Sequence, residues 1–340
     1  MNSLQRTMDF LEGRTADRPP FHPILMRFAA QYCGVNYRDF CLNYQDKCSV
    51  NLKCAGDFAS DWVNVMSDPY AEASSFGTRI SYPLNTLPIV DALLINDIKD
   101  IDKLKPIKVH EHARLISRID EIRQYQRVAG DSQFICGWVE GPLAEYCDLR
   151  DVSAACLDFY EHPDEMKVAL DIVTESAMGF LEAQIKAGAH CIGIGDAICS
   201  LISPDLYLEY IFPLEKALVD RAHQIGAKVK LHICGNTTAI LPDMIRTGAD
   251  IVDIDHLVER MDDFIPLLTR HQVVSGNSDP VSVVQDGTLE ALARSVEQCF
   301  RTTRGRGIVS AGCEITPGTT AGRMHAYSAY AQRLKQESMP

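Results

Sequence analysis

The feature that most restricts the fold of this 340-residue chain is a regular alternation of short apolar runs with longer helical segments. Eight such runs are present, most of them rich in Val and Ile, and they span residues 22–26, 61–66, 134–139, 191–196, 228–233, 250–255, 272–277 and 307–312. Short apolar runs are typical of parallel strands that are covered on both faces. Alternating strands and helices predict a parallel sheet, and eight repeats are the number that closes a (β/α)8 TIM barrel.

Proline and glycine mark the ends of the helical segments between these runs. One helix is predicted from Pro163 to a turn at Gly188, and another from Pro204 to a turn at Gly226, with a kink at the internal Pro213. Proline at the start of a helix and glycine just past its end is the usual asymmetry. These boundaries support the assignment of the apolar runs to strands.

We predict a single domain over residues 1–340, with a helical extension at its N-terminus, because no linker or change of composition divides the chain. The long insert at 67–133 is expected to hold loops and one helix at 113–128. A doubly wound open sheet remains an alternative, since the closure of a barrel is not visible in a sequence.

Charge and composition exclude several classes of function. The formal net charge of −13 disfavours nucleic-acid binding and an anionic membrane surface, because both rely on Lys and Arg. No apolar run approaches the ~20 residues of a membrane helix. The N-terminus also lacks the apolar core and cleavage site of a signal peptide. We therefore expect a cytoplasmic protein whose twelve cysteines are reduced thiols.

Polar side chains follow every one of the eight apolar runs. In a parallel barrel the catalytic groups come from the carboxyl ends of the strands and the loops just beyond them. The sequence therefore predicts one polar site that draws on the residues at these ends: Arg27, Asp68, Glu140, Asp196, His232 with Cys234, Asp253 with Asp255, Asn277 with Asp279, and Cys313 with Glu314.

Within this set, His232, Cys234 and Cys313 form a candidate metal site. His232 and Cys234 are two residues apart, so at an extended strand end their side chains point to the same side. Imidazole and thiolates suit Zn²⁺, and three protein ligands leave a fourth position free, as in catalytic zinc sites. Simple packing of these side chains is the alternative. Asp255 is either a solvated carboxylate or helix cap, or else a fourth ligand or a partner that orients His232.

Several stretches of the chain resemble the uroporphyrinogen decarboxylase superfamily, and within it the zinc- and corrinoid-dependent methyltransferases. The similarity extends over nearly the whole chain. It is carried by LEGRTADRPP (11–20), VEGPLAEY (139–146), GDAICSLISPDLYLEYIFP (195–213), HICGN (232–236), GNSDP (276–280) and GCEITPGT (312–319).

The resemblance implies a ligand set and a partner. In the methyltransferase branch the His-x-Cys pair and the distant Cys hold zinc, which carries this role to His232, Cys234 and Cys313. An acidic residue at the position of Asp255 implies the fourth ligand when no substrate is bound, and hence a catalytic role. The corrinoid-ligating motif Asp-x-His-x-x-Gly does not occur in the chain, so the corrinoid is expected on a partner protein.

One departure separates this chain from the decarboxylases. They carry a run of the type MRQAGR, whose arginines grip the many carboxylates of the tetrapyrrole. Here the run reads MRFAAQ (26–31), so Arg27 is kept while Gln31 replaces the second arginine. This loss favours methyl transfer over decarboxylation.

The resulting hypothesis is transfer of a methyl group between a corrinoid protein and a small-molecule donor or acceptor, expected to be a thiol. The direction of transfer and the identity of the small molecule stay open. Arg27, Glu140, Asp196 and Asn277 are candidates for substrate binding, and the last three have helix capping as the alternative. Tetrapyrrole decarboxylation and a non-catalytic, zinc-bearing barrel remain the competing functions.

Overall fold

Seven parallel strands form one curled sheet at the centre of the computed structural model, which describes residues 1–335. The sheet order is β1-β4-β5-β6-β7-β8-β9, and β2 and β3 pair as a separate antiparallel hairpin. The strands are β1 (Trp62–Asn64), β2 (Arg79–Ser81), β3 (Ile89–Ala92), β4 (Phe134–Glu140), β5 (Cys191–Gly195), β6 (Lys228–Ile233), β7 (Ile251–Ile254), β8 (Val273–Ser278) and β9 (Gly307–Ala311). This arrangement confirms the predicted barrel-like α/β class.

The first predicted strand, at 22–26, is wrong as a strand. Its neighbourhood forms only an isolated parallel bridge between Phe21 and Val309. Even so, the segment links the two edges of the sheet, because the His22 amide donates to Val309 O at 2.9 Å and Phe21 O accepts from the Asp61 amide at 2.8 Å. Pro19, Pro20 and Pro23 lack the N–H groups that a continuous ladder requires, so the eighth strand is reduced to this bridge.

Helices cover the outside of the sheet. The predicted helices appear at Ala113–Ala129 and Pro163–Lys186, whereas the segment after Pro204 is broken by a π-helical turn at Tyr207–Ile211 just before Pro213. The α-helices are α1 (Ser3–Leu11), α2 (Arg27–Tyr32), α3 (Tyr37–Leu42), α4 (Tyr44–Phe58), α5 (Tyr70–Phe76), α6 (Ala113–Ala129), α7 (Pro142–Arg150), α8 (Val152–Glu161), α9 (Pro163–Lys186), α10 (Pro204–Leu206), α11 (Phe212–Gln224), α12 (Leu241–Arg246), α13 (Met261–Phe264), α14 (Leu289–Thr302) and α15 (Ala321–Arg333).

The N-terminal helix α1 closes one end of the barrel. Its Phe10 and Leu11 are fully buried against the first residues of several strands, among them Phe134 and Ile251. Burial of two large apolar side chains contributes roughly 1.5–3 kcal/mol each. The opposite end, where the strands finish, is called the mouth below, and it is the end that remains available for a site. Among residues 1–335 no helix is long and apolar enough to cross a membrane.

The register of the sheet places His232 and Asp253 side by side inside the barrel. His232 of β6 pairs with Gly195 of β5 on one side and with Asp253 of β7 on the other. Gly195 has no side chain, and the indole of Trp138 from β4 lies over it. A Cβ at Gly195 would stand 2.4 Å from Trp138 Cζ2, so glycine is required for this packing.

Candidate metal centre

The structure brings His232, Cys234 and Cys313 together at the mouth. His232 is the penultimate residue of strand β6, Cys234 is the first residue after that strand, and Cys313 lies two residues beyond β9. Their ligand atoms, one ring nitrogen and two sulfurs, all lie within 4.8 Å of one another. The curl of the sheet is the cause, because it turns the ends of β6 and β9 towards a common centre.

The donor set and its spacing suit a tetrahedral zinc ion. Zn–S distances of ~2.3 Å and a Zn–N distance of ~2.0–2.1 Å place ligand atoms about 3.5–3.8 Å apart in a tetrahedron. The observed limit of 4.8 Å is compatible with that spacing after small side-chain movements. His232 is buried and both cysteines are half-buried, so a ligand can approach from the mouth.

A buried carboxylate fixes the orientation of the histidine. Asp253 Oδ2 lies 2.6 Å from His232 Nδ1, which leaves Nε2 as the nitrogen that faces the cysteines. The same carboxylate lies 3.0 Å from Lys230 Nζ, and Lys230 and Asp253 are each 1% exposed. A carboxylate behind a ligating histidine is the usual supporting arrangement in zinc sites. The orienting role that the sequence left open for Asp255 is therefore taken by Asp253.

Hydrogen bonds and charges among the three candidate ligands shift their pKa values. Burial alone would lower the pKa of His232, but the hydrogen bond and charge of Asp253, aided by Cys313, raise it to about 9. A hydrogen bond from Cys313 lowers the pKa of Cys234 against the effect of burial, while the pKa of Cys313 is raised by that hydrogen bond and by burial. A metal ion that binds here must displace these protons.

Asp255 lies outside this group of three. Its Oδ2 accepts a hydrogen bond of 2.8 Å from the Gly235 amide, and its Oδ1 lies 2.5 Å from His256 Nδ1. Gly235 has a φ of +89°, so the chain turns sharply right after Cys234, and the carboxylate holds that turn. His256 also faces Asp279 Oδ2 at 3.4 Å. The direct ligation of a metal by Asp255 stays a prediction.

Arg27 and Glu314 form the rim next to Cys313. Glu314 accepts a hydrogen bond of 2.9 Å from the Arg27 amide, and its other oxygen lies 3.3 Å from the guanidinium. Arg27 also lines a cavity of about 610 Å³, together with Gln31, Asn36, Tyr37 and Asn85. The position is compatible with the predicted substrate-binding role of Arg27. The Glu314 carboxylate neutralises part of the charge of Arg27. The sequence does not reveal this pairing, because 287 residues separate the two side chains.

Asp196 performs the capping role that the sequence allowed as its alternative. Its fully buried carboxylate accepts hydrogen bonds from the amides of Leu143 at 3.3 Å and Ala144 at 2.7 Å, in the first turn of α7. Burial raises its pKa to about 6, although the two amides oppose the shift. Cys199 and Glu215 complete a second buried group with ligand atoms within 4.8 Å. Direct contact of Asp196 with a substrate stays a prediction.

Glu140 and Asn277 lie at the mouth as expected. Glu140 is buried and accepts a hydrogen bond of 2.9 Å from Trp138 Nε1, and its own amide donates to Glu72 at 3.1 Å. Asn277 is half-buried, with its Oδ1 at 3.3 Å from the Cys299 sulfur. The centroid of the Trp138 indole stands 6.2 Å from that of the His232 ring. Glu140 is therefore connected to the candidate metal centre through a single indole.

A family model described as uroporphyrinogen decarboxylase (URO-D) matches residues 2–334. The chain belongs to the uroporphyrinogen decarboxylase family. This confirms the resemblance inferred from the sequence motifs, and it makes the chain a member of a family of enzymes.

The relatives of the chain include both methyltransferases and decarboxylases. It is 28% identical over 279 residues to the methylcobamide:CoM methyltransferase MtbA of Methanosarcina acetivorans, and the matched region covers 80% of each chain. It is 25% identical over 337 residues to the uroporphyrinogen decarboxylase of a Synechococcus species, with 94% of this chain and 93% of the relative covered. The solved structure of a methyltransferase from Methanosarcina mazei matches with a TM-score of 0.88 and 20% identity, over 97% of this chain and 98% of the other. At that identity the structural likeness establishes the fold.

Proposed function

We propose that the chain is a zinc-dependent methyltransferase that moves a methyl group between a corrinoid protein and a small-molecule thiol. One observation carries this proposal: a histidine and two cysteines converge within 4.8 Å at the mouth of the barrel. Tetrapyrrole decarboxylation gives these thiols no role, and it would need the second arginine that Gln31 replaces. The methylcobamide:CoM methyltransferases among the relatives support the same choice.

When bound, zinc would keep a substrate thiol deprotonated at neutral pH, whereas a free thiol with a pKa of ~8.5 is mostly protonated. The residues of the chain prepare the site for this chemistry. His232, Cys234 and Cys313 supply three ligands and leave one position for the substrate. Asp253 holds the imidazole in a single orientation, and the two thiolates place two negative charges beside the ion, which preserves electron density on a bound sulfur.

We further propose that Asp255 completes the coordination when no substrate is present. Its carboxylate neighbours Cys234 closely enough to raise that thiol's pKa, and it is held by the Gly235 amide. In an Asp255→Ala variant, zinc should remain bound through three ligands, with an affinity about 10–100-fold lower. The expected measurement is a competition titration with a chromophoric chelator. An unchanged affinity would show that Asp255 acts only on the turn at Gly235.

The mouth has the character of a surface on which a partner protein docks. Leu201 is 67% exposed and Leu257 is 48% exposed, on the loops that follow β5 and β7. The β2–β3 hairpin adds Leu84 and Ile89, which are also exposed. Ser200 lies against Gly235, so the loop that carries Leu201 adjoins the metal ligands. Exposed apolar side chains grouped around a site are typical of protein interaction surfaces, and they suit a corrinoid protein that must bring a large macrocycle to the metal.

The test combines metal analysis with a methyl-transfer assay. The purified protein should contain close to one zinc per chain, and Cys234→Ser and Cys313→Ser should each lose it while the fold is retained. Cys156→Ser is the matched control, since Cys156 is a half-buried thiol on α8 outside the group of three. A gently purified protein without zinc would contradict the proposal. Zinc without methyl transfer from its corrinoid partner would favour a non-catalytic barrel.

A further inference from the structure

A second group of charged side chains lies at the mouth, between the ends of β1 and β4. Glu72 comes from α5, Glu140 ends β4, and Glu145 and Asp148 come from α7. Glu72, Glu140 and Glu145 are buried, at 2%, 7% and 3% exposure, while Asp148 is half-buried and reaches the surface. We call these four residues the acid cluster.

The acid cluster carries more carboxyl groups than the nearby cation can neutralise. Burial raises the pKa of Glu140 and Glu145, and repulsion from the other members of the cluster raises it further. Arg118 opposes this shift, but it is a single guanidinium against four carboxyls, and its Nη2 donates a hydrogen bond of 2.6 Å to the backbone oxygen of Asp68. Four carboxyls that share one buried cation cannot all ionise at low cost, so the cluster favours a further positive charge.

Unsatisfied hydrogen-bonding atoms face this region. Among residues 1–335, neither carboxylate oxygen of Glu145 has a hydrogen-bond partner, and Glu72 Oε2 has none either. Two guanidinium nitrogens of Arg118, Nε and Nη1, also have no hydrogen-bond partner among these residues. Buried polar groups are almost always paired, so unpaired oxygens on two adjacent elements point to a ligand that they hold.

Aromatic rings border the acid cluster. Trp138 donates its Nε1 hydrogen to Glu140, and its ring lies 6.2 Å from that of His232. Burial, followed by the charges of Asp148 and Glu140, raises the pKa of Tyr70, which is half-buried beside them. Carboxylates beside aromatic side chains are surroundings that suit ammonium groups.

The spacing of the cluster disfavours a small metal ion. Oxygens around a bound Ca²⁺ lie 2.3–2.6 Å from the ion and so within about 5 Å of one another. Among residues 1–335, only two groups of three or more potential ligands lie within 4.8 Å, and neither includes a member of the acid cluster. An ammonium group that carries methyl or methylene substituents is larger, and it spreads its contacts over several carboxyls.

We propose that the acid cluster is a subsite for a positively charged nitrogen on the small-molecule substrate, so that the thiol of the proposed methyl transfer also carries an ammonium group. The substrate role rests on the proposed methyl transfer, whereas the binding of a cation does not. Trp138 lies between the subsite and His232, so a bound ammonium would be held one indole away from the candidate metal centre.

The test compares choline with 3,3-dimethyl-1-butanol, its uncharged isostere, by isothermal titration of the purified protein. Choline should bind at least about tenfold more tightly than the alcohol. Glu145→Gln keeps the shape of the side chain and removes its charge, and it should weaken choline binding by at least about tenfold. Glu175→Gln is the matched control, because Glu175 is exposed on α9. Equal binding of choline and the alcohol, or of choline to both variants, would overturn the proposal.

A second measurement needs no variant. Burial and mutual repulsion raise the pKa values of the carboxyls in the cluster, and a bound cation favours their ionised forms. Choline binding should therefore release protons, so the apparent binding enthalpy should differ between phosphate and Tris at one pH. The groups that face the cluster are Arg118, Asp68 and Tyr70; the pKa of Asp68 is lowered and that of Tyr70 is raised, so neither of these two changes its protonation near neutral pH. Binding without proton release would contradict the proposal.

Two further measurements test the ammonium subsite independently of methyl transfer. Mg²⁺ that displaces choline at submillimolar concentration would overturn the ammonium assignment in favour of a metal. Choline binding by the zinc-free Cys234→Ser protein should be retained, because the cluster contains none of the metal ligands. Loss of zinc-dependent methyl transfer with retained choline selectivity would refute only the proposed function, and the reverse result would refute only the subsite.

Discussion

The buried pair of Lys230 and Asp253 behind His232 leads to the most specific prediction. An Asp253→Asn substitution keeps the size of the side chain but removes the charge that faces Lys230 Nζ at 3.0 Å and His232 Nδ1 at 2.6 Å. Both members of the pair are 1% exposed, so Lys230 would be left as an unpaired buried cation. Breaking a buried pair in this way costs about 3–5 kcal/mol of the free energy of unfolding.

The same substitution should weaken zinc binding. Loss of an orienting partner behind a ligating histidine typically costs about 10–100-fold in metal affinity. Asp253 also raises the pKa of His232 to about 9, so the substitution lowers that pKa and removes some competition by protons. A comparison at pH 9 makes this second effect small, because the wild-type imidazole is then about half deprotonated. The assay is chelator competition at that pH, together with urea unfolding.

A double variant separates the loss of stability from the loss of zinc affinity. Lys230→Met with Asp253→Asn removes the stranded cation, so it should recover most of the lost stability while the zinc affinity stays low. Asp262→Asn is the control, since Asp262 is exposed on α13. A zinc affinity within twofold of wild type in the single variant would refute the orienting role. Failure of the double variant to recover stability would refute the assignment of the cost to Lys230.

Three further outcomes are expected. Gly195→Ala should reduce the free energy of unfolding by about 1–3 kcal/mol in denaturant titrations, since its Cβ would meet Trp138 at 2.4 Å. Gly179→Ala, on helix α9 with open space around it, should instead be neutral or stabilising. An equal loss of stability in the two variants would contradict the close packing of Trp138 on Gly195. Leu201→Asp should weaken binding of the corrinoid protein in a pull-down while zinc content is unchanged, whereas Leu267→Asp, on the chain that leads into β8, should not. Zinc affinity should fall by at least about tenfold per pH unit below pH 9, because binding requires neutral His232 and displaces its proton; an affinity independent of pH would contradict the raised pKa.

The sequence by itself determined the barrel class and the end of the barrel at which the candidate site lies. Apolar runs and helical periodicity are local properties, and the carboxyl ends of parallel strands necessarily meet at one face. His232, Cys234 and Cys313 could therefore be grouped from their positions after two runs, although 79 residues separate the cysteines. The proline-rich segment before residue 24 also contained the signal that it would not form a full strand, since proline cannot donate to a ladder.

Only the tertiary structure decided which side chains become partners. Asp253 and Asp255 look alike in the sequence, yet the register of β6 against β7 puts Asp253 beside His232 and leaves Asp255 on the turn at Gly235. The acid cluster likewise joins α5 and α7 across 76 residues, from Glu72 to Asp148. Such contacts depend on strand register and on the curl of the sheet, which arise from packing of the whole chain rather than from any local pattern.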